Sequence, residues 1–88
     1  MNNPVRTQQI RKATLSALAM SGNYALPIDT LWGFVGDLVK PPLQFTEKGV
    51  TEKWLTDGDY IRFIPNTLDP GLKQCVITEL GKNLLASL

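Results

Sequence analysis

The sequence predicts an α+β domain, mainly α: three helices, a two- or three-stranded antiparallel sheet and a C-terminal helix. Three observations predict it. Apolar residues recur with a helical period over residues 5–21 and again from about residue 28 to 38. After Gly58 the pattern becomes strand-like, Tyr60-Ile61-Arg62-Phe63-Ile64, in aromatic and β-branched shapes. At Thr78 it turns helical again, with Leu80, Leu84, Leu85 and Leu88 on one stripe.

The first helix is expected over residues 5–21. Ile10, Ala13, Thr14, Ala17, Leu18 and Met20 cover one broad side, with Arg11 and Leu15 at its edge. Pro4 is harmless at a helix start, where its missing N–H has no partner to lose. Ser21-Gly22-Asn23 supplies turn chemistry, and Tyr24-Ala25-Leu26 reads as a short extended segment. The second helix starts near Pro27–Thr30, with Pro27 suited to its first position and Asp29 in its first turn. Its stripe is Ile28, Leu31, Phe34, Val35 and Leu38, with Trp32 and Val39 at the margin. Gly33 and Gly36 each cost about 1 kcal/mol relative to alanine there. Lys40-Pro41-Pro42 ends it, because the residue before a proline is pushed out of the helical region.

The third helix is expected to open at Thr46 as N-cap, with Phe45 and Val50 placed as a hydrophobic staple. Val50, Trp54 and Leu55 form its inward side, and Gly58 is a natural left-handed residue after its end. The strands Tyr60–Ile64 and about Leu72–Ile77 then flank a Pro70-Gly71 turn. The expected core is Leu18, Leu31, Val35, Leu38, Val50, Trp54, Leu55, Ile61, Phe63, Ile77, Leu80 and Leu84.

Composition narrows function by exclusion. The chain has 88 residues, expected to form one domain, with 43% apolar and 19% charged residues, as in folded globular proteins. No apolar run reaches the roughly 20 residues of a membrane span. The single cysteine, Cys75, forms no internal disulfide, which fits a reducing, cytoplasmic compartment. Histidine is absent, which removes the commonest general base and the commonest zinc ligand. Asp57 and Asp59 flank Gly58 but lack the further ligands of a calcium loop. Gly33 and Gly36 lack the strand and Lys-Ser/Thr of a phosphate loop. No enzyme, cofactor or metal is expected.

With WLTDGDYIRFI running into the hairpin and VITELGKNLLASL after it, the chain resembles winged helix-turn-helix domains, closest to small stand-alone bacterial or phage proteins. Leu55, Gly58, Tyr60, Ile61, Ile77, Thr78 and Gly81 occupy the places that carry the likeness, which spans about Arg6 to Leu88. Two departures stand out. The segment Lys40–Phe45 is longer and richer in proline than the usual tight turn. The third helix has no Arg, Asn or Gln, the residues of the common bidentate base contacts.

The resemblance implies a double-stranded DNA partner and a role in transcription regulation. The expected contacts are Thr46, Lys48, Gly49, Glu52, Lys53 and Thr56 on the third helix and Arg62 and Lys73 on the hairpin. Arg6, Arg11 and Lys12 come from an N-terminal stretch without acidic residues. The alternative is a protein-interaction or dimerisation module on the same scaffold. The net charge of +1 and the mixed signs of the third helix favour it. Its expected interface is Trp32, Leu84, Leu85 and Leu88, with a homodimer as one form.

Overall fold

A computed structural model of the chain describes residues 4–22 and 24–88. Its order is α1 (Pro4–Met20), β1 (Leu26–Pro27), α2 (Ile28–Leu38), α3 (Phe45–Asp57), β2 (Ile61–Pro65), β3 (Lys73–Ile77) and α4 (Glu79–Ala86). The fold is therefore mainly helical α+β, with a three-stranded antiparallel sheet of order β1-β3-β2. Leu26 lies opposite Cys75 on one side of β3, and Phe63 opposite Cys75 on the other. The expected third strand, β1, starts two residues later and ends one residue later than Tyr24–Leu26 suggests. Asn23, part of the expected turn, lies outside the described residues.

The core joins one face of α1 to the sheet and α2. Leu15, Leu18, Leu31, Val35, Leu55 and Cys75 are among its fully buried side chains. Leu15, expected at the edge of α1, is central, and Met20 is exposed. Thr14 is also fully buried, and its hydroxyl donates to the Ile10 carbonyl at 2.7 Å, so it enters the core at no unpaired polar cost. On α2 the buried set is Ile28, Leu31, Trp32 and Val35, continued by Val39, while Phe34 and Leu38 face outward. Trp32 is thus a core residue, 8% exposed, rather than a marginal one.

Several expected core positions move to the surface. Val50 is 66% exposed, Phe63 38% exposed, and Leu80 is exposed as well; Trp54 and Leu84 are half-buried. The expected staple does not form, since Phe45 is 86% exposed. α3 begins one residue before Thr46, with Gln44 as N-cap, and the Gln44 N–H donates to Glu47 Oε1 at 2.9 Å. A carboxylate in the first turn satisfies an orphan donor and complements the helix dipole.

Glu47 has a second task. Arg6 Nε donates to its Oε2 at 3.0 Å and Arg6 Nη2 to its Oε1 at 2.9 Å, a bidentate pair. The same guanidinium donates to the Pro41 carbonyl at 2.6 Å and the Pro42 carbonyl at 3.1 Å. Arg6 therefore clamps the long proline-rich connection between α2 and α3 onto α1. The Arg6 hydrogen bonds hold the Glu47 carboxyl below its ordinary 4.5, with the Gln44 N–H and the Arg6 charge adding and desolvation opposing. A depressed carboxylate stabilises the fold above its unfolded pKa, and that contribution is lost as pH falls through the folded value. Wild type should therefore lose more stability than Glu47→Gln as pH falls below about 4.5 in denaturant titrations, since the amide carries no titrating proton. Parallel profiles for the two proteins would show that Glu47 is not linked to folding.

The end of α3 differs from expectation in an informative way. Gly58 is the C-cap with φ −90°, and the left-handed residue is Asp59, with φ 56°. The Tyr60 N–H donates to the Leu55 carbonyl at 2.9 Å and the Asp59 N–H to the Thr56 carbonyl at 3.2 Å, the paired bonds of a Schellman motif. Gly58 is required for another reason: a Cβ there would run into the Tyr60 ring. Thr78 is the N-cap of α4 as expected, its hydroxyl accepting from the Gly81 N–H at 3.2 Å. The same hydroxyl donates to the Asp59 carbonyl at 2.6 Å and so ties α4 to the end of α3.

Candidate nucleic-acid interface

The outer side of α3 stands clear of the core. Thr51 and Leu55 are its buried residues, and Thr46, Gly49, Lys53 and Thr56 form the opposite, exposed stripe. At about 100° per residue these four positions fall within a band of about 80°. The hairpin lies beside it. Lys73 Nζ on β3 reaches Glu52 Oε1 on α3 at 3.2 Å and lies 4.9 Å from the centre of the Phe63 ring. Arg62 is exposed on β2. The hairpin tip is ordered by its own side chains. Asn66 Oδ1 accepts from the Leu68 and Asp69 N–H groups at 2.8 and 3.0 Å, and Asp69 Oδ1 accepts from Gly71 N–H at 3.2 Å.

The structure spends much of the expected positive charge internally. Arg6 belongs to the clamp on Glu47. Lys53 pairs with Asp57 at 3.2 Å, one turn along α3. Lys73 pairs with Glu52. The Arg11 guanidinium sits 4.6 Å from the centre of the Trp54 ring, which itself lies 4.9 Å from that of Tyr60. Thr56 turns its hydroxyl back to the Glu52 and Lys53 carbonyls. Of the residues expected to face DNA, the bases without a partner of this kind among the described residues are Lys12, Lys48 and Arg62. Lys12 lies on α1, outside the α3 stripe, and Lys48 is half-buried.

Lys48 and Gly49 line a groove of about 740 Å³ between α2 and α3, together with Trp32, Gly33, Gly36, Lys40 and Phe45. Sequence reasoning did not single out Lys40 or this groove. The available signal was two interior glycines on the α2 face that carries Asp29. The expected C-terminal interface is mostly used up: Leu84 and Leu85 pack against the core, leaving Leu88 the more exposed.

No group of three or more Cys, Asp or Glu side chains among the described residues is placed to hold a metal ion. Burial pushes the Cys75 thiol up to about 11, with Glu52 adding to the rise and Lys73 opposing it, so the thiolate is scarce at neutral pH. No helix among the described residues is long and apolar enough to cross a membrane. No known protein family, characterised protein or solved structure matches the chain.

Proposed function

We propose that the chain is a winged-helix domain that binds double-stranded DNA, with α3 entering the major groove and the β2–β3 hairpin following the phosphate backbone. The observation that carries this reading is the exposed stripe Thr46, Gly49, Lys53 and Thr56, with the hairpin tied alongside it by Lys73 and Glu52. The element order and the sheet order β1-β3-β2 agree with such a domain. A helix with a clear outer face and a flanking β-ribbon is the shape that a major groove admits.

Charge sets the strength. Among the described residues Lys48, Arg62 and Lys12 hold no internal partner of the kinds above, so one subunit neutralises about two or three phosphates, giving a salt slope near −2 to −3. Non-specific affinity at physiological salt should be at the weak end, about 10⁻⁴ M. The test is a fluorescence-anisotropy titration of a labelled duplex at several salt concentrations, with wild type and Lys48→Glu/Arg62→Glu. Binding that steepens as salt falls and disappears in the double variant supports the reading. Absence of binding at low salt overturns it, as does equal binding by the double variant. The second reading, a protein-interaction module, is favoured by the internal pairing of Lys53 and Lys73 and by exposed Phe45, and would then lead.

A further inference from the structure

The outer surface of α3 has little with which to read a base edge by hydrogen bonding. Apart from Phe45, which lines the groove with α2, its exposed residues are Thr46, Gly49, Val50, Lys53, Thr56 and Asp57. None is an Arg, Asn or Gln, the side chains that grip a purine with two hydrogen bonds. Thr56 has its hydroxyl turned back to the Glu52 and Lys53 carbonyls at 3.1 and 3.0 Å. Lys53 is paired with Asp57 at 3.2 Å, which engages the acid as well as the base. The Thr46 hydroxyl remains, and a single hydroxyl, donor and acceptor at once, does not tell one base from another.

Apolar surface is what this side of the helix does offer. Val50 is largely exposed, although a β-branched side chain inside a helix is favoured neither by propensity nor, here, by burial. On a helical projection it stands about 40° beyond Thr46 and widens the outer stripe to about 120°. Val50 shares a shallow depression with Trp54, one turn further on, and with Tyr60. The charged lining of that depression is Arg11, Lys53 and Asp57, two bases and one acid, with the acid held by Lys53 and the Arg11 guanidinium held over the Trp54 ring. Gly49, next to Val50, is exposed, and a Cβ there would meet nothing within 4 Å, so no contact within the chain requires glycine. Glycine is unfavourable inside a helix, and what it permits is the close approach of another molecule to the backbone.

In the major groove one base feature is read by apolar contact, the 5-methyl group of thymine. We propose that Val50 reads it: the exposed isopropyl group packs against a thymine methyl, and this contact, not a hydrogen bond, carries the sequence preference of α3. This role rests on α3 entering the major groove as proposed above. Gly49 lets the helix sink until the side chain reaches the base edge. Lys48 and Arg62 contact phosphates, which position the helix without specifying sequence. The preference is modest, about fourfold for each methyl contacted, the factor for removing one such group from water.

Fluorescence anisotropy at low salt tests this with two labelled duplexes of one A·T-rich sequence, one carrying thymine and the other deoxyuridine throughout. The exchange deletes the 5-methyl groups and keeps every hydrogen-bonding group and every phosphate. Wild type should bind the thymine duplex about fourfold tighter or more. Val50→Ser changes an exposed position, so it should remain folded by circular dichroism, bind the two duplexes alike and keep the wild-type salt slope. Equal binding of both duplexes by wild type overturns the role of Val50 and leaves groove binding in place. So does a thymine preference that persists in Val50→Ser, because the methyl is then read by another residue or through the shape of the DNA. Absence of wild-type binding to either duplex overturns groove binding itself, and the role of Val50 with it, and leaves this surface to a protein partner.

Discussion

Gly81→Ala is expected to destabilise the domain by about 1–3 kcal/mol, the range for forcing an extra carbon into a packed site. The usual effect of this substitution inside a helix has the opposite sign, a gain of up to about 1 kcal/mol. Space decides between them. A Cβ on Gly81 would lie 2.5 Å from the Tyr60 carbonyl oxygen and 2.7 Å from Ile77 Cγ1. The first neighbour cannot give way cheaply. The Tyr60 carbonyl accepts from the Thr78 N–H at 3.0 Å, where the start of α4 meets the end of α3. Moving it would also disturb the Thr78 hydroxyl, which serves Asp59 and Gly81 together. Gly49→Ala is the control, since a Cβ there meets nothing within 4 Å. Urea titrations on dilute protein should therefore move the two midpoints in opposite directions. A stabilised Gly81→Ala would mean that the α3–α4 junction relaxes more freely than its hydrogen bonds imply.

That junction was the most legible part of the chain, for a physical reason. Thr78 capping α4, Gly58 beside Tyr60 and the strand-like Tyr60–Ile64 run are local signals, each settled within a few residues. The exact use of Gly58 was less visible. Its place after α3 suggested a left-handed residue, yet Asp59 takes that conformation and Gly58 makes room for the Tyr60 ring. Aspartate tolerates the left-handed region better than most residues, so the motif closes without glycine there.

Helix orientation was less legible, because apolar residues on α2 outnumber the positions the core can take. Leu31, Phe34, Val35 and Leu38 make one acceptable stripe; Ile28, Leu31, Trp32, Val35 and Val39 make another, turned by a fraction of a helical turn. Composition does not choose between them. Packing against α1 and β1 does, and it buries Trp32 while exposing Phe34 and Leu38. The pairing of the candidate site's charges was hidden in the sequence for a related reason. Arg6 and Glu47 are 41 residues apart, and Glu52 and Lys73 are 21 apart. Bases that look free when counted along the chain are paired once it folds. The positive charge left unpaired is smaller than the number of lysines and arginines suggests.

Leu55→Ala is expected to cost about 2–5 kcal/mol, against a total stability of about 5–15 kcal/mol for a domain of this kind. Leu55 is fully buried and belongs to the central cluster with Leu15, Leu18 and Ile61. It is the large apolar side chain through which α3 enters that core. The other buried residue of α3 is Thr51, while Trp54 packs at the rim between Arg11 and Tyr60. Truncating Leu55 leaves a cavity that α3 cannot easily close. Its last turn is held by the Tyr60 N–H on the Leu55 carbonyl, and its first turn by Arg6 and Glu47. Val50→Ala removes an aliphatic side chain from the same helix but from solvent-exposed surface, so its effect should stay within about 0.5 kcal/mol. The sequence alone places Val50 and Leu55 on one inward side, and on that reading both substitutions would be costly. Denaturant titrations of the two variants separate the cases. A small loss for Leu55→Ala, or equal losses for both, would place the buried face of α3 elsewhere and expose a different stripe to any partner.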